Sequence, residues 1–413
     1  MGSSLSRTFS SLALPAALLL TLAITLHQYP VPDSWNTLLA VAPTVICAAG
    51  VLLGLRFHKS RVAVAMLVLA GAFWLLGVDV GGLAPKYAAL HAHRHAIVAV
   101  LLPYYLGLFG VLPERGLLTA QGVLRGALAL APPIAVLYVS QPSHQHLLAT
   151  LETPLIDLPA LSSATHLSQI AIIATLLATI ALLVSLVRTR LALDGGFLGA
   201  LLGATLALHA KPQADTTAWF ALAALILIVA LVQDSYSMAY LDELTRLPGR
   251  RALNEQLQRL GHRYTIAMLD VDHFKKFNDK YGHDVGDQVL RMVAAKMATV
   301  GGGGKPFRYG GEEFTVVFPR KSAPQVMEHL DEIRTLIEGA KLTLRAPDRP
   351  KRKPKAGAAK PPARKPAAPQ VSVTISIGVA ERAAELKTAD AVIDAADKAL
   401  YRAKKKGRNC VST

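Results

Sequence analysis

Cysteine is nearly absent from this chain: Cys47 stands inside an apolar run and Cys410 near the C-terminus. Two such thiols build neither a disulfide framework nor a Cys-based metal site, and they imply no oxidising compartment. Charge is missing over a longer reach. From Leu12 to Val232 charged residues are sparse while Leu, Ala, Val and Ile recur in long runs; from Asp234 onward the chain reads as an ordinary soluble α/β domain. The 413 residues, 52% apolar with a net charge of +16, suggest two or three domains, with a boundary near Gln233.

A bilayer-spanning helix needs about 20 mostly apolar residues. Candidates lie at Leu12–Leu26, Thr37–Leu55, Val62–Val80, Ala96–Leu112, Val123–Val139, Ser168–Val187, Leu191–Leu208 and Thr217–Val232, the first and fifth being the least secure. About eight helices in residues 1–233 would put both termini on one side. Arg7, Arg56, Lys59, Arg61, Arg115, Arg125, Arg188 and Arg190 fall on that side, against Lys86, Arg94 and Lys211 on the other. Basic residues gather on the cytoplasmic face, so the N-terminus and the C-terminal domain are expected in the cytoplasm. The first run is read as an anchor, because His27-Gln28-Tyr29-Pro30 offers no small-residue cleavage site. Few polar groups stand inside the runs, Asp79 lying at the end of the third, and no row of acids or pair of broken helices marks a transport path.

Eight of 13 histidines map to the non-cytoplasmic side: His27, His91, His93, His95, His144, His146, His166 and His209. Imidazole binds Zn²⁺ and titrates near neutrality, so a cluster of His91, His93 and His95 with His144 and His146 is one reading. Helix-capping interfacial residues are the other, since the spacing fits no standard zinc pattern. Between the last run and Asp242, residues 234–241 contain neither Pro nor Gly, so helix is expected to continue through them.

The C-terminal part holds the chemistry. Arg308-Tyr-Gly-Gly-Glu-Glu-Phe314 places Gly310, Gly311, Glu312 and Glu313 between runs of β-formers, the pattern of a hairpin whose tip takes left-handed backbone angles. Tyr264–Leu269 is a compact apolar strand ending in Asp270-Val271-Asp272, where two acids are set to offer oxygen to Mg²⁺. Phe274, Lys275, Asn278 and Asp279 follow, then Gly282-His283 and Gly286-Asp287 opening a helix at 288–299. Lys275 suits a phosphate; Asn278 and Asp287 suit the donor edge of guanine, which adenine lacks. Taken singly, each group also reads as an ordinary turn, strand end or cap.

Together these blocks carry a resemblance. Asp242-x-Leu-Thr-x-Leu-Pro248, Asp270-x-Asp-x-Phe-Lys-x-x-Asn-Asp279, Gly282-His283 with Gly286-Asp287, Gly310–Phe314, Val373–Ala380 and Asp397–Asn409 resemble, in order, the GGDEF family of diguanylate cyclases, here with a GGEEF signature. The resemblance covers 242–413 and implies an α/β domain with a central, mainly antiparallel sheet flanked by helices, akin to the polymerase palm and nucleotide cyclases. It implies an enzyme that joins two GTP into cyclic di-GMP and two pyrophosphates across a homodimer. It implies Mg²⁺, or Mn²⁺ in its place, held by Asp270, the Val271 carbonyl and Glu312. Glu313 and Glu312 would be catalytic. Asn278 and Asp287 would read guanine, and Lys275, Lys404 and Arg408 would hold phosphates, with Phe274, His283, Gly310 and Gly311 at the nucleotide.

Departures from the family pattern are few. Glu312 replaces an Asp with the same chemistry. Gly249 stands where an Asn is usual, with a structural effect expected. An inhibitory product site usually built by Arg-x-x-Asp is expected to be absent, because Gly301 and Gly304 occupy those positions. Residues 345–370 hold nine basic residues and one acid, too few apolar groups for a core; a disordered loop between two strands is expected, either solvated or docked on anionic lipid. It lacks the aromatics that nucleic-acid stacking needs, so no nucleic acid is expected. No phosphodiesterase domain is expected, as the chain ends soon after Lys405. The contrasting reading is a silent receptor that binds nucleotide or a protein partner; it would be expected to have lost the acids that stand here.

Overall fold

The computed structural model describes residues 2–29, 32–77, 88–114, 120–141, 143–144, 146–157, 159, 165–189, 191–210, 213–343 and 370–413. The chain divides into two compact units, Met1–Ser235 and Tyr236–Thr413.

The first unit is helical: α1 Gly2–Gln28, α2 Asn36–Arg56, α3 Ser60–Gly77, α4 Ala88–Ala92, α5 Arg94–Val111, α6 Ala120–Val139, α7 His146–Ala149, α8 Gln169–Thr189, α9 Ala192–His209 and α10 Gln213–Tyr240. Among the described residues, six are long and apolar enough to cross a membrane. Two shorter apolar stretches are Leu12–Gln28 of α1 and Gly126–Val139 of α6; Pro15 lies inside the first helix and Pro132 and Pro133 inside the second. Asp79 lies outside the described residues. The most enclosed of the six is α9, where small residues let backbones approach: a Cβ on Gly199 would crowd Pro15 and Ile226, and one on Gly203 would touch Ala223.

Two buried acids escape a hydropathy reading. Asp194, at the start of α9, lies 3.7 Å from Arg61, which also pairs with Glu114 at 3.4 Å and donates to the Gly110 carbonyl at 3.2 Å. Asp234, late in α10, pairs with Lys59 at 2.8 Å. Each acid sits opposite a base because an unpaired charge at this depth is costly. Helix α10 is unbroken to Tyr240, so the helical stretch expected at 234–241 forms up to its last residue; Leu241 then bridges Pro248.

For the histidines with two readings, the described contacts are local ones. His91 contacts Arg94, His93 lies 3.2 Å from Glu152, His95 meets the Leu208 carbonyl and His144 meets Ser143. Among the described residues no three His, Cys, Asp or Glu side chains converge as metal ligands do. Local partners have absorbed the imidazoles.

The second unit is built on a five-stranded sheet ordered β2-β3-β1-β6-β7: β2 Lys305–Gly310, β3 Glu313–Pro319, β1 Tyr264–Val271, β6 Ile375–Glu381 and β7 Val411–Ser412. All pairings are antiparallel except β6 with β7. Every residue of β1 is buried because both faces are covered. Ala267, Leu269 and Val271 join one core with α13 His283–Met297 and α14 Ala323–Glu338, while Tyr264, Ile266 and Met268 join another with α15 Ala389–Lys405. Alternate side chains pointing to opposite faces explain why this strand reads as an unbroken apolar run. Gly378 on β6 lies so close beneath α15 that a Cβ would overlap the Leu400 amide and the Ala396 carbonyl. A capping box between Ser322 and Gln325 starts α14. Short helices α11 Arg250–Gln258 and α12 Phe274–Tyr281 complete the unit. Most of residues 345–370 lie outside the described residues; the flanking strands β4 Leu342–Thr343 and β5 Gln370–Val371 pair with each other.

Candidate active site

The β2–β3 hairpin brings the signature acids to the central strand. Gly311 takes the left-handed conformation at φ +48°, while Gly310 ends β2 as an exposed residue. The register slips between Arg308 and Gly310, which turns Glu312 into the hairpin tip and sets Glu313 directly across from Asp270. The Val271 amide donates to the Glu312 carbonyl at 3.3 Å, fixing the tip against the end of β1. Arg308 locks the same turn: it donates to the Gly311 carbonyl at 2.7 Å and to the Asp242 carboxylate at 2.6 Å.

Three carboxylates therefore share one small region, and their electrostatics show it. Burial pushes the Asp270 carboxyl up; the hydrogen bond and charge of Lys404 oppose this, Asp272 adds to it, and Arg408 opposes it. Burial also raises Glu312, with Asp270 and then Glu313 repelling it against the pull of Lys404. Glu313 is raised by burial, Asp270 and Asp397, against Lys404 and Arg250. Lys404, delivered by the tight α15–β6 packing, sits 2.9 Å from Asp270. Such hard oxygen donors with too little positive charge among them fit a divalent cation. As the side chains stand, with Lys404 on Asp270, no three acids converge as ligands among the described residues.

The guanine-reading candidates lie on neighbouring helices. His273 is left-handed at φ +57°, and α12 starts after it with Phe274 buried against Phe277. Asn278 presents a buried Oδ1 that has no hydrogen-bond partner among the described residues. A Cβ on Gly286 would overlap that atom, so the glycine is what admits the amide. Asp287, the next residue, is half-exposed and 3.8 Å from Arg291. Lys275 and His283 are exposed at the surface.

Arg408 belongs to a turn with three consecutive positive φ angles, Gly407 +113°, Arg408 +68° and Asn409 +48°. That costly backbone is pinned from two sides. Asp272 accepts from Ser376 at 2.6 Å, Thr374 at 2.7 Å and the Asn409 amide at 3.1 Å. Arg334 and Glu338 bind the Asn409 side chain at 3.1 and 2.8 Å. The paired acids of the Asp-x-Asp segment thus have different partners: Asp270 faces Lys404, and Asp272 fastens the turn carrying Arg408. Asp272, read from the sequence as a second oxygen donor for Mg²⁺, is instead taken up by these three hydrogen bonds; Asp242 and Arg308 were missing from the sequence-derived site, and an Arg just before the glycines was the available signal. Gly301 and Gly304 face His329 and Phe318 and offer no side chain of their own.

The family described as "Diguanylate cyclase, GGDEF domain" matches residues 239–364 and 358–410. The response regulator PleD of Caulobacter vibrioides is 36% identical over 188 residues, 44% of this chain and 37% of that protein. The diguanylate cyclase VdcA of Vibrio cholerae is 35% identical over 177 residues, 42% of this chain and 46% of that protein. This chain therefore spans less than half the length of these curated relatives. Among solved structures, the GGDEF domain of DgcB from Caulobacter crescentus in complex with c-di-GMP is 35% identical, covering 42% of this chain and 92% of that one, with a TM-score of 0.35. The unit from Tyr236 to Thr413 is a GGDEF domain.

Proposed function

We propose that the protein is a membrane-bound diguanylate cyclase that condenses two GTP into cyclic di-GMP and two pyrophosphates. The observation that carries this is the pairing of Asp270 with Glu313 across β1 and β3, with Glu312 at the adjoining tip and Lys404 as their counter-ion. Each subunit of a symmetric homodimer holds one GTP. Asn278 and Asp287 take the guanine edge, and Phe274, Lys275, His283, Gly310 and Gly311 border the nucleotide.

Lys404 and Arg408 hold the phosphates, and Glu313 accepts the proton of the 3′-hydroxyl as it attacks the α-phosphorus of the partner's GTP. The new O–P bond forms as the bond to the departing pyrophosphate breaks, and a second such transfer closes the ring. A bound Mg²⁺, or Mn²⁺ in its place, would be held by Asp270, the Val271 carbonyl and Glu312 and would screen the phosphate charge. Glu312 and Glu313 act as one acidic pair.

The six apolar helices and the asymmetry of basic residues support an inner-membrane protein with its N-terminus and GGDEF domain in the cytoplasm, regulated through the membrane region. The basic segment 345–370 contacts anionic lipid headgroups in this reading. Membranes containing the full chain, given GTP and Mg²⁺, yield cyclic di-GMP, and Glu313→Ala membranes yield none; nucleotide binding without product from either would favour a receptor instead.

A further inference from the structure

Among the described residues of the unit Met1–Ser235 lies a cavity of about 430 Å³ with polar groups in its walls. Glu152, His95, His166, Ser168 and Gln169 line it, over an apolar floor that includes Ala96 and Ala99. Hydrogen bonds hold these walls apart. Gln169 accepts from the amides of Leu155 and Ile156 at 2.9 and 3.0 Å and donates to the Ile156 carbonyl at 2.6 Å, which ties the segment after Glu152 to the start of α8. Thr165 bonds His209 at 2.6 Å and accepts from the Leu167 amide at 3.1 Å, closing another side. The site is built before any ligand arrives, which lowers the ordering cost of binding.

The lining also selects. Glu152 is the one acid among the lining residues, and no Lys or Arg balances it there. Its Oε1 lies 3.2 Å from His93, leaving Oε2 to face other partners. The contact of His95 Nε2 with the Leu208 carbonyl, at 3.1 Å, assigns the ring proton to Nε2 and leaves Nδ1 as an acceptor. One carboxylate and one imidazole acceptor above a hydrocarbon floor suit a donor-rich cation with a short apolar chain. A bare metal ion fits poorly, since no three ligating side chains converge among the described residues.

We propose that this cavity binds a small organic cation, a primary ammonium on a short alkyl chain, with Glu152 as its counter-ion and His95 as an acceptor. The test uses the full chain in lipid nanodiscs and three probes of like shape: butylammonium, butanol and butyrate. Calorimetric titration and thermal unfolding are followed with each. Saturable binding of butylammonium alone, weakened about tenfold or more by Glu152→Gln and retained in part by Glu152→Asp, is the expected result. Unchanged unfolding of both variants without probe shows that they fold. No saturable butylammonium binding, equal binding of butyrate or butanol, or undiminished binding by Glu152→Gln overturns the proposal. Zn²⁺ uptake in place of ammonium binding also overturns it. The readout needs no turnover, so it is independent of cyclase activity.

Discussion

Lys404 Nζ lies 2.9 Å from Asp270 Oδ2, so the cation assigned to phosphate meets the acid assigned to metal. In the proposed mechanism this salt bridge opens when substrate binds, and both groups exchange partners. Replacing Lys404 by Gln removes a charged hydrogen bond of about 1.5–3 kcal/mol, so KM for GTP is expected to rise about 10- to 100-fold. The Asp270 carboxyl, which Lys404 pulls down, should titrate still higher in the variant. NMR titration of that carboxyl and steady-state kinetics check the two halves separately.

The raised carboxyls of Asp270, Glu312 and Glu313 have a second consequence. A carboxyl raised in the folded state binds its proton more tightly there than when unfolded. Its stabilising contribution is present below the ordinary carboxylate range and lost as pH rises through the raised value. Without divalent cation, the isolated three-acid site therefore favours the folded domain less at neutral pH than in mild acid. Glu313→Gln should make the thermal midpoint less sensitive to pH in this window while reducing turnover by about 10²- to 10⁴-fold. Thermal melts across the acid range, with chelator present, give the comparison.

Asp242 behaves in the opposite sense. Burial pushes its carboxyl up, but hydrogen bonds from Thr245 and Arg308, with the Arg308 charge, outweigh this and hold it below its ordinary value of 3.8. Stability from the Asp242–Arg308 pair is present above the ordinary carboxylate range and lost as pH falls through the lowered value. Arg308→Met is expected to cost about 1–3 kcal/mol and to loosen the Gly311 turn. Urea denaturation at neutral pH measures the cost, and the wild-type advantage should shrink in strong acid.

Gly286 is a steric requirement of Asn278. A methyl group there overlaps Asn278 Oδ1, so Gly286→Ala must push the amide aside at a cost of about 1–3 kcal/mol. Guanine recognition should suffer while phosphate contacts persist. The expected outcome is a raised KM for GTP with inhibition by inorganic triphosphate unchanged; equal loss of both would place Asn278 away from the base.

Much of the second unit was legible from local pattern. The hairpin at 305–319, the buried strand into Asp270 and the left-handed Gly311 follow from glycine placement and apolar period. The Asp270–Lys404 and Asp272–Asn409 contacts were not, because each joins residues more than 130 positions apart whose meeting depends on how α15 packs on β6. In the first unit hydropathy marked the apolar runs, and each of them falls on a helix. It passed over Asp194 and Asp234, whose cost only becomes acceptable once Arg61 and Lys59 are seen beside them. The histidines illustrate the converse: proximity in sequence made a cluster one reading, while His91, His93 and His95 each contact a different neighbour.

The central claim is tested most directly by measuring cyclic dinucleotide and pyrophosphate together from the membrane-reconstituted full chain supplied with GTP and Mg²⁺. The account predicts cyclic di-GMP with two pyrophosphates for each, and neither from Glu313→Ala. Bound GTP with no pyrophosphate released by the wild-type protein would contradict it.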